Sequence, residues 1–153
     1  MGMKFIYATK PMEVRGYKLL ELHTILLCAT SYINENFIFS NQNQIDDINY
    51  GLIVHAFLLS VFKDQGFSNF KLMHGKNLNA KEHFWLENED TIIDLTAQKS
   101  LKVTTPLILI PKKTYYPNHL LSINEKRLML KSIPKEINQA IIPIKKVFYK
   151  DYY

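Results

Sequence analysis

Cysteine is nearly absent from this chain of 153 residues, in which Cys28 is the single thiol. One cysteine excludes an intramolecular disulfide, so the chain is not a small secreted protein held together by disulfides. Long apolar runs are also missing: the stretch 51–62 is shorter than the about 20 residues that a membrane-spanning helix needs. The amino terminus lacks a signal-peptide pattern. We therefore expect a protein of a reducing compartment, the cytoplasm, with no membrane association.

The signatures of two common kinds of site are missing as well. Five glycines are spread along the chain without a Gly-rich phosphate loop, which excludes the usual nucleotide-binding motifs. The histidines outside the hairpin described below form neither a His-Glu-x-x-His pattern nor a Cys/His cluster, so no zinc site is predicted. They are His23, His55, His74 and His119. We expect no cofactor and no metal.

Charge is unevenly distributed within the total of +5. Residues 1–100 have nine Lys/Arg against eleven Asp/Glu, a net charge of −2, and residues 101–153 have ten against three, a net charge of +7. A basic segment attracts phosphates or an acidic partner through its long-range field. A solvated, lysine-rich surface is the second interpretation, and the charge by itself leaves both open.

The length of the chain predicts one domain. A chain of this size buries its own core, and no repeat, low-complexity tract or Gly/Ser linker divides it. We expect a single domain over 1–153, with a core at 14–110 and a basic carboxyl-terminal extension at 111–153. Helical and strand periods both occur, so the predicted class is α+β, with helices packed on an antiparallel sheet.

Two helices are expected in the first half. Apolar residues recur at helical intervals over 14–37, which indicates a long, largely buried helix. A second apolar stripe indicates a helix over 47–65. Acidic residues at its start support this assignment, because negative charge in the first turn of a helix interacts favourably with the helix dipole. This helix should end there, since Gly66 readily adopts a left-handed conformation and Phe67 can fold back onto the helix.

The period of the apolar residues then changes to that of strands. The predicted strands are 69–74, 83–87, 91–96 and 106–110. The middle two form a hairpin around the polar turn 88–90. A short helical pattern follows over 122–133, and the tail beyond Pro134 has no clear period.

The predicted hairpin brings an imidazole and a carboxylate together. If Glu87 pairs with Asp90 across a two-residue loop, or if Leu86 and Thr91 close a four-residue loop, His83 lies directly opposite Asp94. Alternation puts one set of residues on the face that carries chemistry: His83, Trp85, Ile92, Asp94 and Thr96. The other set forms the core face: Phe84, Leu86, Ile93 and Leu95.

A histidine that faces a carboxylate has its tautomer fixed and its protonated form stabilised, which makes the pair part of a nucleophilic triad. The missing member is a Ser, Thr or Cys within hydrogen-bond reach of the ring. Without such a nucleophile, His83 and Asp94 are an ordinary cross-strand pair that contributes roughly 0.2–1 kcal/mol.

The residues around this pair resemble a family signature. His83-Phe84-Trp85-Leu86-Glu87, followed by a turn and Asp94-Leu95-Thr96, resembles the His-x-Trp-x-Glu and Asp-x-Thr strands of the transglutaminase-like branch of the papain-type cysteine enzymes. The resemblance implies a papain/transglutaminase-like core. It also implies that His83 is the general base, that Asp94 orients it, and that Trp85 and Thr96 are supporting site residues.

The start of the second helix departs from this pattern. In that family the nucleophilic cysteine opens the helix before the histidine strand, whereas this helix begins Asn49-Tyr50-Gly51-Leu52-Ile53 and contains no thiol there. We interpret Tyr50 as a lining residue, because a phenol is a poor nucleophile at neutral pH. His55 is either a second lining residue or an ordinary core histidine.

Cys28 is the one thiol that can replace the missing nucleophile. It keeps the order Cys-His-Asp along the chain, but it lies within the first predicted helix among aliphatic neighbours. A catalytic thiol needs a lowered pKa, whereas a thiol in such surroundings is usually a packing residue. Both interpretations of Cys28 stay open.

Three functions are compatible with these residues. The first is acyl transfer or amide hydrolysis on a protein or peptide, in which the thiolate attacks a carbonyl, His83 moves the proton and Asp94 holds the ring. The second is a catalytically inactive relative that binds a protein or peptide. The third is association with nucleic acid through the basic tail and its stacking groups, which are Tyr115, Tyr116, Phe148, Tyr149, Tyr152 and Tyr153.

Overall fold

The computed structural model of the chain describes residues 10–35, 47–79, 81–97, 105–119, 128–129 and 132–153. The helices in these ranges are α1 (Lys10–Glu35), α2 (Asp47–Asp64), α3 (Lys112–His119) and α4 (Lys135–Asp151). The strands are β1 (Lys71–Lys76), β2 (Glu82–Glu87), β3 (Thr91–Asp94), β4 (Leu107–Pro111) and β5 (Leu128–Met129). They form one antiparallel sheet in the order β4-β3-β2-β1-β5, so the predicted α+β class is confirmed.

The first two helices lie where the helical periods predicted them. α1 begins at Lys10, earlier than expected, and α2 ends in the predicted glycine turn. Gly66 has a φ of 89°, and the N–H of Phe67 donates to the carbonyl oxygen of Phe62 at 2.7 Å. The rings of these two phenylalanines lie 6.0 Å apart, which is the hydrophobic contact that accompanies this kind of helix cap.

α2 runs through the middle of the main core. It packs on β2 on one side and on α4 on another, and its residues 51–59 are all buried. At the junction of three helices, the ring of Phe57 lies 5.9 Å from that of Tyr32 in α1 and 5.2 Å from that of Phe148 in α4. A helix surrounded in this way is apolar on every side. No helix in the described ranges has the length and apolar character needed to cross a membrane.

The tail without a clear period forms α4. Pro134 immediately precedes this helix, and Pro143 lies inside it. Ile141 and Phe148 are buried in the main core, while Lys145 Nζ lies 2.6 Å from an Asp64 carboxylate oxygen at the end of α2. The basic segment therefore contributes one face of α4 to the core and presents lysines elsewhere.

Two local predictions are corrected by long-range pairing. The helix expected over 122–133 is wrong at Leu128–Met129, which pair as β5 with Met73 and His74 of β1; residues 122–127 and 130–131 lie outside the described part. The strand expected over 69–74 runs instead over Lys71–Lys76. In both places the backbone groups are satisfied by a neighbouring strand, which a local period does not reveal.

The hairpin register differs from the prediction. β2 and β3 pair Leu86 with Ile93 and Glu87 with Ile92. The turn between them is shifted by one residue from its predicted position: the N–H of Asn88 donates to the carbonyl oxygen of Thr91 at 3.1 Å, and the side chain of Asn88 organises the turn. Its side-chain oxygen accepts hydrogen bonds from the N–H groups of Asp90 at 3.0 Å and Thr91 at 2.9 Å, an Asx turn.

This change of register leaves the two faces of the hairpin intact. Continuing the observed pairing places Asp94 opposite Trp85 rather than opposite His83. The difference from the prediction is an even number of residues, so every side chain keeps its face. His83 and Asp94 are therefore diagonal neighbours instead of direct ones.

The two faces of the sheet pack against different elements, and we name them after the helices that cover them. The α2 face belongs to the main core and contains the residues predicted for the core side: Phe84, Leu86, Ile93 and Leu95. The α3 face has a smaller cluster, to which α3 contributes two tyrosines: Met73, Trp85, Ile92, Tyr115 and Tyr116.

β4 carries a bulge beside β3. Ile92 and Ile93 pair with Ile110 and Ile108, so Leu109 is the extra residue between them. Leu109 has a φ of 55°, a left-handed conformation that costs of order 1–3 kcal/mol for a residue other than glycine. Its side chain is buried in the main core, and this burial offsets the strain.

Candidate functional site

The predicted imidazole–carboxylate pair is formed. His83 Nε2 lies 2.5 Å from Asp94 Oδ2, and the contact joins β2 to the end of β3. His83 is 3% exposed and Asp94 is fully buried. A short bond between two buried groups fixes the orientation of the imidazole ring.

Asp94 is surrounded by hydrogen-bond donors. The Tyr115 hydroxyl donates to Oδ2 at 2.8 Å, and the Thr96 N–H donates to Oδ1 at 3.1 Å. Burial raises the pKa of Asp94, but the charge and hydrogen bond of His83 and the hydrogen bond from the Tyr115 hydroxyl outweigh it, so the pKa is lowered. Asp94 is therefore a carboxylate at neutral pH, as the acid of such a pair must be.

Thr96 reaches the carboxylate from a turn and not from a strand. β3 ends at Asp94, so the predicted extension of this strand to residue 96 is wrong. The Thr96 hydroxyl lies 3.4 Å from Asp94 Oδ1. Its support of the acid is thus local, two residues along the chain, which is the usual geometry of an Asx turn.

His55 lies on the other side of the same carboxylate. Its Nε2 accepts a hydrogen bond from the Leu95 N–H at 3.0 Å, so the hydrogen must be on Nδ1, which lies 2.7 Å from the Gly51 carbonyl oxygen. Burial lowers the pKa of His55 to about 4, although the charge of Asp94 opposes this effect. His55 is therefore neutral and ties α2 to the residue after Asp94.

The free ring nitrogen of His83 is the group that can do chemistry. Within the described ranges Nδ1 makes no hydrogen bond, whereas Nε2 is committed to Asp94. Trp85 stacks beside the imidazole, with ring centroids 6.2 Å apart. The arrangement orients a base, so it needs only a proton donor within reach of Nδ1 to act as a general base.

Two tyrosines of α3 lie over this part of the sheet, and their role was not predicted from the sequence. Tyr115 bonds to Asp94, and the Tyr116 hydroxyl donates to Glu87, which also lies 3.2 Å from Lys112 Nζ. Tyr115 and Tyr116 are both buried. The sequence signal that could have indicated their role is the Tyr115-Tyr116 pair itself, which follows shortly after β4, the strand that pairs with β3.

Cys28 is not part of this arrangement. α1 is continuous through it, and the thiol is half-buried against the main core. Burial raises the pKa of Cys28, the direction opposite to that of an activated nucleophile. Its electrostatic neighbour is Tyr153, whose pKa it helps to raise after burial and Glu21. Among the described residues, no hydrogen bond or ion pair joins Cys28 to His83, Asp94 or His55.

The start of α2 lies against the acid side of the pair. A Cβ atom at Gly51 would lie 3.6 Å from the Thr96 hydroxyl and 3.8 Å from the Phe84 ring. Tyr50 is half-buried against the main core, and burial raises its pKa, which makes a phenolate nucleophile less accessible. The helix on which the resemblance predicts the nucleophile is present, and its start contains no thiol.

The structure gives little support for a metal site or for a nucleic-acid-binding surface in the described ranges. No group of three or more His, Cys, Asp or Glu in the described ranges has metal-binding geometry. Three of the aromatic residues considered for base stacking, Tyr115, Tyr116 and Phe148, are buried in the two cores. They are therefore not available to stack on nucleic-acid bases.

Comparison of the chain with protein-family models, with curated proteins and with solved structures gives no match. The interpretation of the site therefore rests on its own geometry.

Proposed function

We propose that the chain is a catalytically inactive transglutaminase-like domain of the papain type, which works as a binding module for a protein or peptide in the cytoplasm. The observation that carries this proposal is the separation of its thiol from its base. Cys28, a residue of α1, packs against the main core, whereas His83 lies with Asp94 and Tyr115 on the α3 face.

The order of the elements supports the family resemblance. α2, its glycine turn and β1 precede the histidine strand β2, and the strand β3 that follows ends at the acid. The His83–Asp94 contact and the positions of Trp85 and Thr96 beside it support the roles that the resemblance implies for them.

The missing nucleophile supports the inactive form of such a domain. Residues at the start of α2 offer only the Tyr50 phenol, and the one thiol has a raised pKa. Acyl transfer needs a nucleophile within about 3 Å of the base, and His83 has none among the described residues.

One observation favours the second candidate, an active cysteine hydrolase or acyltransferase. The buried pair is fully assembled, with Asp94 ionised and His83 oriented. In such an enzyme the Cys28 thiolate would attack an amide or thioester carbonyl, His83 would transfer the thiol proton to the leaving group, and water or an amine would release the acyl group.

Alkylation of Cys28 by iodoacetamide decides between these candidates. We expect slow alkylation near neutral pH, with the same rate in wild type and in His83→Ala, because burial keeps the thiol protonated. Cys28→Ser is the control that gives no labelling. Fast alkylation that is lost in His83→Ala, with His74→Ala unaffected, would contradict the binding-module proposal and identify an enzyme.

A further inference from the structure

The exposed apolar surface of the described ranges is concentrated on two helices. Of six exposed large apolar side chains, five lie on α1, on α4 or directly after α4. The six are Leu20, Leu27, Leu78, Ile142, Val147 and Tyr153. The two most exposed are Leu20 at 68% and Ile142 at 65%. Single exposed apolar residues are ordinary on a protein surface, but a concentration of them marks an interaction site.

α1 forms one wall of an open groove, which we call the α1 groove. It is lined by Leu20, Glu21, Thr24 and Tyr153, has a volume of about 610 Å³ and is mostly apolar. Burial and the charge of Glu21 raise the pKa of Tyr153, so this carboxylate lies near the phenol. Residues 19–35 of α1 contain two glutamates and no lysine or arginine. The α1 groove is therefore an apolar surface with negative charge beside it.

α4 presents the opposite charge on a row of three exposed residues, which we call the α4 row. Ile142, Lys146 and Lys150 follow one another at intervals of four residues, so they are neighbours along the helix surface. The whole helix has four lysines against two acids, a net charge of +2. Lys145 is paired with Asp64, whereas the two lysines of the α4 row have no carboxylate partner among the described residues. The α4 row is thus an apolar side chain followed by two unpaired ammonium groups.

The α1 groove and the α4 row are complementary in charge and in apolar character. In pairs of packed helices, rows of side chains spaced by four residues fit into grooves of the facing helix, and opposite charges select the partner. Within one copy the two surfaces cannot meet, because α1 and α4 are fixed in the same core, where the rings of Tyr32 and Phe148 lie 5.9 Å apart. A second copy of the chain offers both surfaces.

We propose that the chain associates with itself, and that the α1 groove of one copy binds the α4 row of another, with Ile142 in the groove and Lys146 beside Glu21. The two surfaces are different, so the contact is head-to-tail. The inference goes beyond the proposed binding function and does not depend on it, because it uses no residue of the His83–Asp94 pair. An acidic segment of a different protein is the competing occupant of the α4 row, and it requires no self-association.

Sedimentation equilibrium of the full chain measures this association. The mean mass should rise above the 17.9 kDa of one copy as the concentration increases from about 10 µM to about 300 µM, because a contact of this small size is at the weak end of protein interfaces. The association should weaken in about 0.5 M salt, since the charges that face each other are exposed to solvent. A mean mass of one copy at every concentration overturns the proposal.

Two variants separate the groove from the row. Leu20→Lys puts a positive charge in the α1 groove, and Ile142→Glu puts a negative charge in the α4 row. Both replace an exposed side chain, so the fold should persist. Each variant alone should associate at least about tenfold more weakly than wild type. An equimolar mixture should regain the association, because the first variant keeps the row and the second keeps the groove. A mixture that associates as weakly as the separate variants overturns the proposal.

Leu78→Lys is the matched control, because Leu78 is a leucine with 56% exposure between β1 and β2, outside both surfaces. This variant should associate as wild type does. A loss equal to that of Leu20→Lys would mean that any exposed leucine mediates the association, and it would overturn the proposal.

A charge exchange tests the orientation of the contact. Glu21→Lys and Lys146→Glu should each weaken the association about two- to fivefold, the size expected for an exposed ion pair. The double variant should regain the wild-type association, because opposite charges again face each other. A double variant weaker than either single variant would show that the two residues do not meet, and it would overturn the proposed contact.

Discussion

The two faces of the sheet differ in what holds their covers in place. On the α2 face, a helix of 18 residues is buried by apolar contacts with the sheet, α1 and α4. On the α3 face, a helix of eight residues is anchored by phenol and ammonium groups on two carboxylates. The hydrophobic effect is not directional, so apolar burial stabilises the fold without fixing the orientation of particular groups. Hydrogen bonds to carboxylates have a preferred geometry, so they fix the orientation of the groups that form a site.

We therefore expect the α2 face to contribute most of the stability and the α3 face to contain the groups that can do chemistry. His55 is the described side chain of α2 that reaches across, because its ring joins the backbone of α2 to the residue after Asp94. Substitutions on the α2 face should therefore lower the free energy of unfolding most. Substitutions near the pair should lower it less, and they should also change its pH dependence and the local order.

Removal of Phe57 tests the stabilising face and should have the largest effect. The ring is fully buried at the junction of α1, α2 and α4. Phe57→Ala should lower the free energy of unfolding by about 3–5 kcal/mol, through lost burial and the cavity left behind. Urea denaturation measures this change. Leu27→Ala, at a half-exposed position of α1, is the control and should cost less than about 1 kcal/mol; equal losses would contradict the assignment.

Lowering the pH should reduce the contribution to stability of His55, whose ring joins α2 to the residue after Asp94. Its folded pKa of about 4 lies below its ordinary value of 6.5, so between these values the unfolded chain binds more protons. The contribution of His55 to stability is therefore present above pH 6.5 and lost as the pH falls to 4, by about 3 kcal/mol. Asp94, whose pKa is lowered from 3.8, loses its contribution at still lower pH.

Denaturation at a series of pH values measures the effect of His55. In His55→Gln the slope of stability against pH between 4 and 6.5 should become shallower, whatever the variant's stability at neutral pH. Nitrogen NMR of the wild-type imidazole should show hydrogen on Nδ1 down to about pH 5 and no protonation of Nε2. A His55 ring that is protonated at pH 6 would overturn the proposed tautomer.

The hydroxyl of Tyr115 tests the polar face and should have the smallest effect of the three. Tyr115→Phe keeps the buried ring but removes one donor from Asp94, which should cost about 1.5–3 kcal/mol because the acceptor is charged. Urea denaturation measures this cost, and proton NMR of the His83 ring shows whether its bond to Asp94 persists. An unchanged stability would mean that water replaces the hydroxyl and that the α3 cover is looser than described.

Much of the fold was predictable from the sequence because its signals are local. The apolar period of α2, the left-handed Gly66 and the alternation along β2 and β3 each depend on residues close together in the chain. The correct face of His83 followed from alternation alone. Its register did not, since Asn88 sets the turn through side-chain bonds that a strand period does not contain.

The candidate site was only partly predictable. His83, Asp94 and Thr96 were predicted together, and the structure joins them by hydrogen bonds. The role of Tyr115 was missed because it comes from a helix 21 residues beyond Asp94 in sequence. The position of Cys28 relative to the pair was open for the same reason, since no local pattern relates α1 to β2.

By itself, the sequence determined the helices α1 and α2, the hairpin, its two faces and the absence of a thiol at the start of α2. These depend on period, turn residues and composition, which act over a few residues. Only the tertiary structure decided that His55 is a neutral link, that Tyr115 holds the acid and that Cys28 packs against the main core. Those properties arise from burial and from contacts between segments that are distant in sequence, and both exist only when the chain has folded.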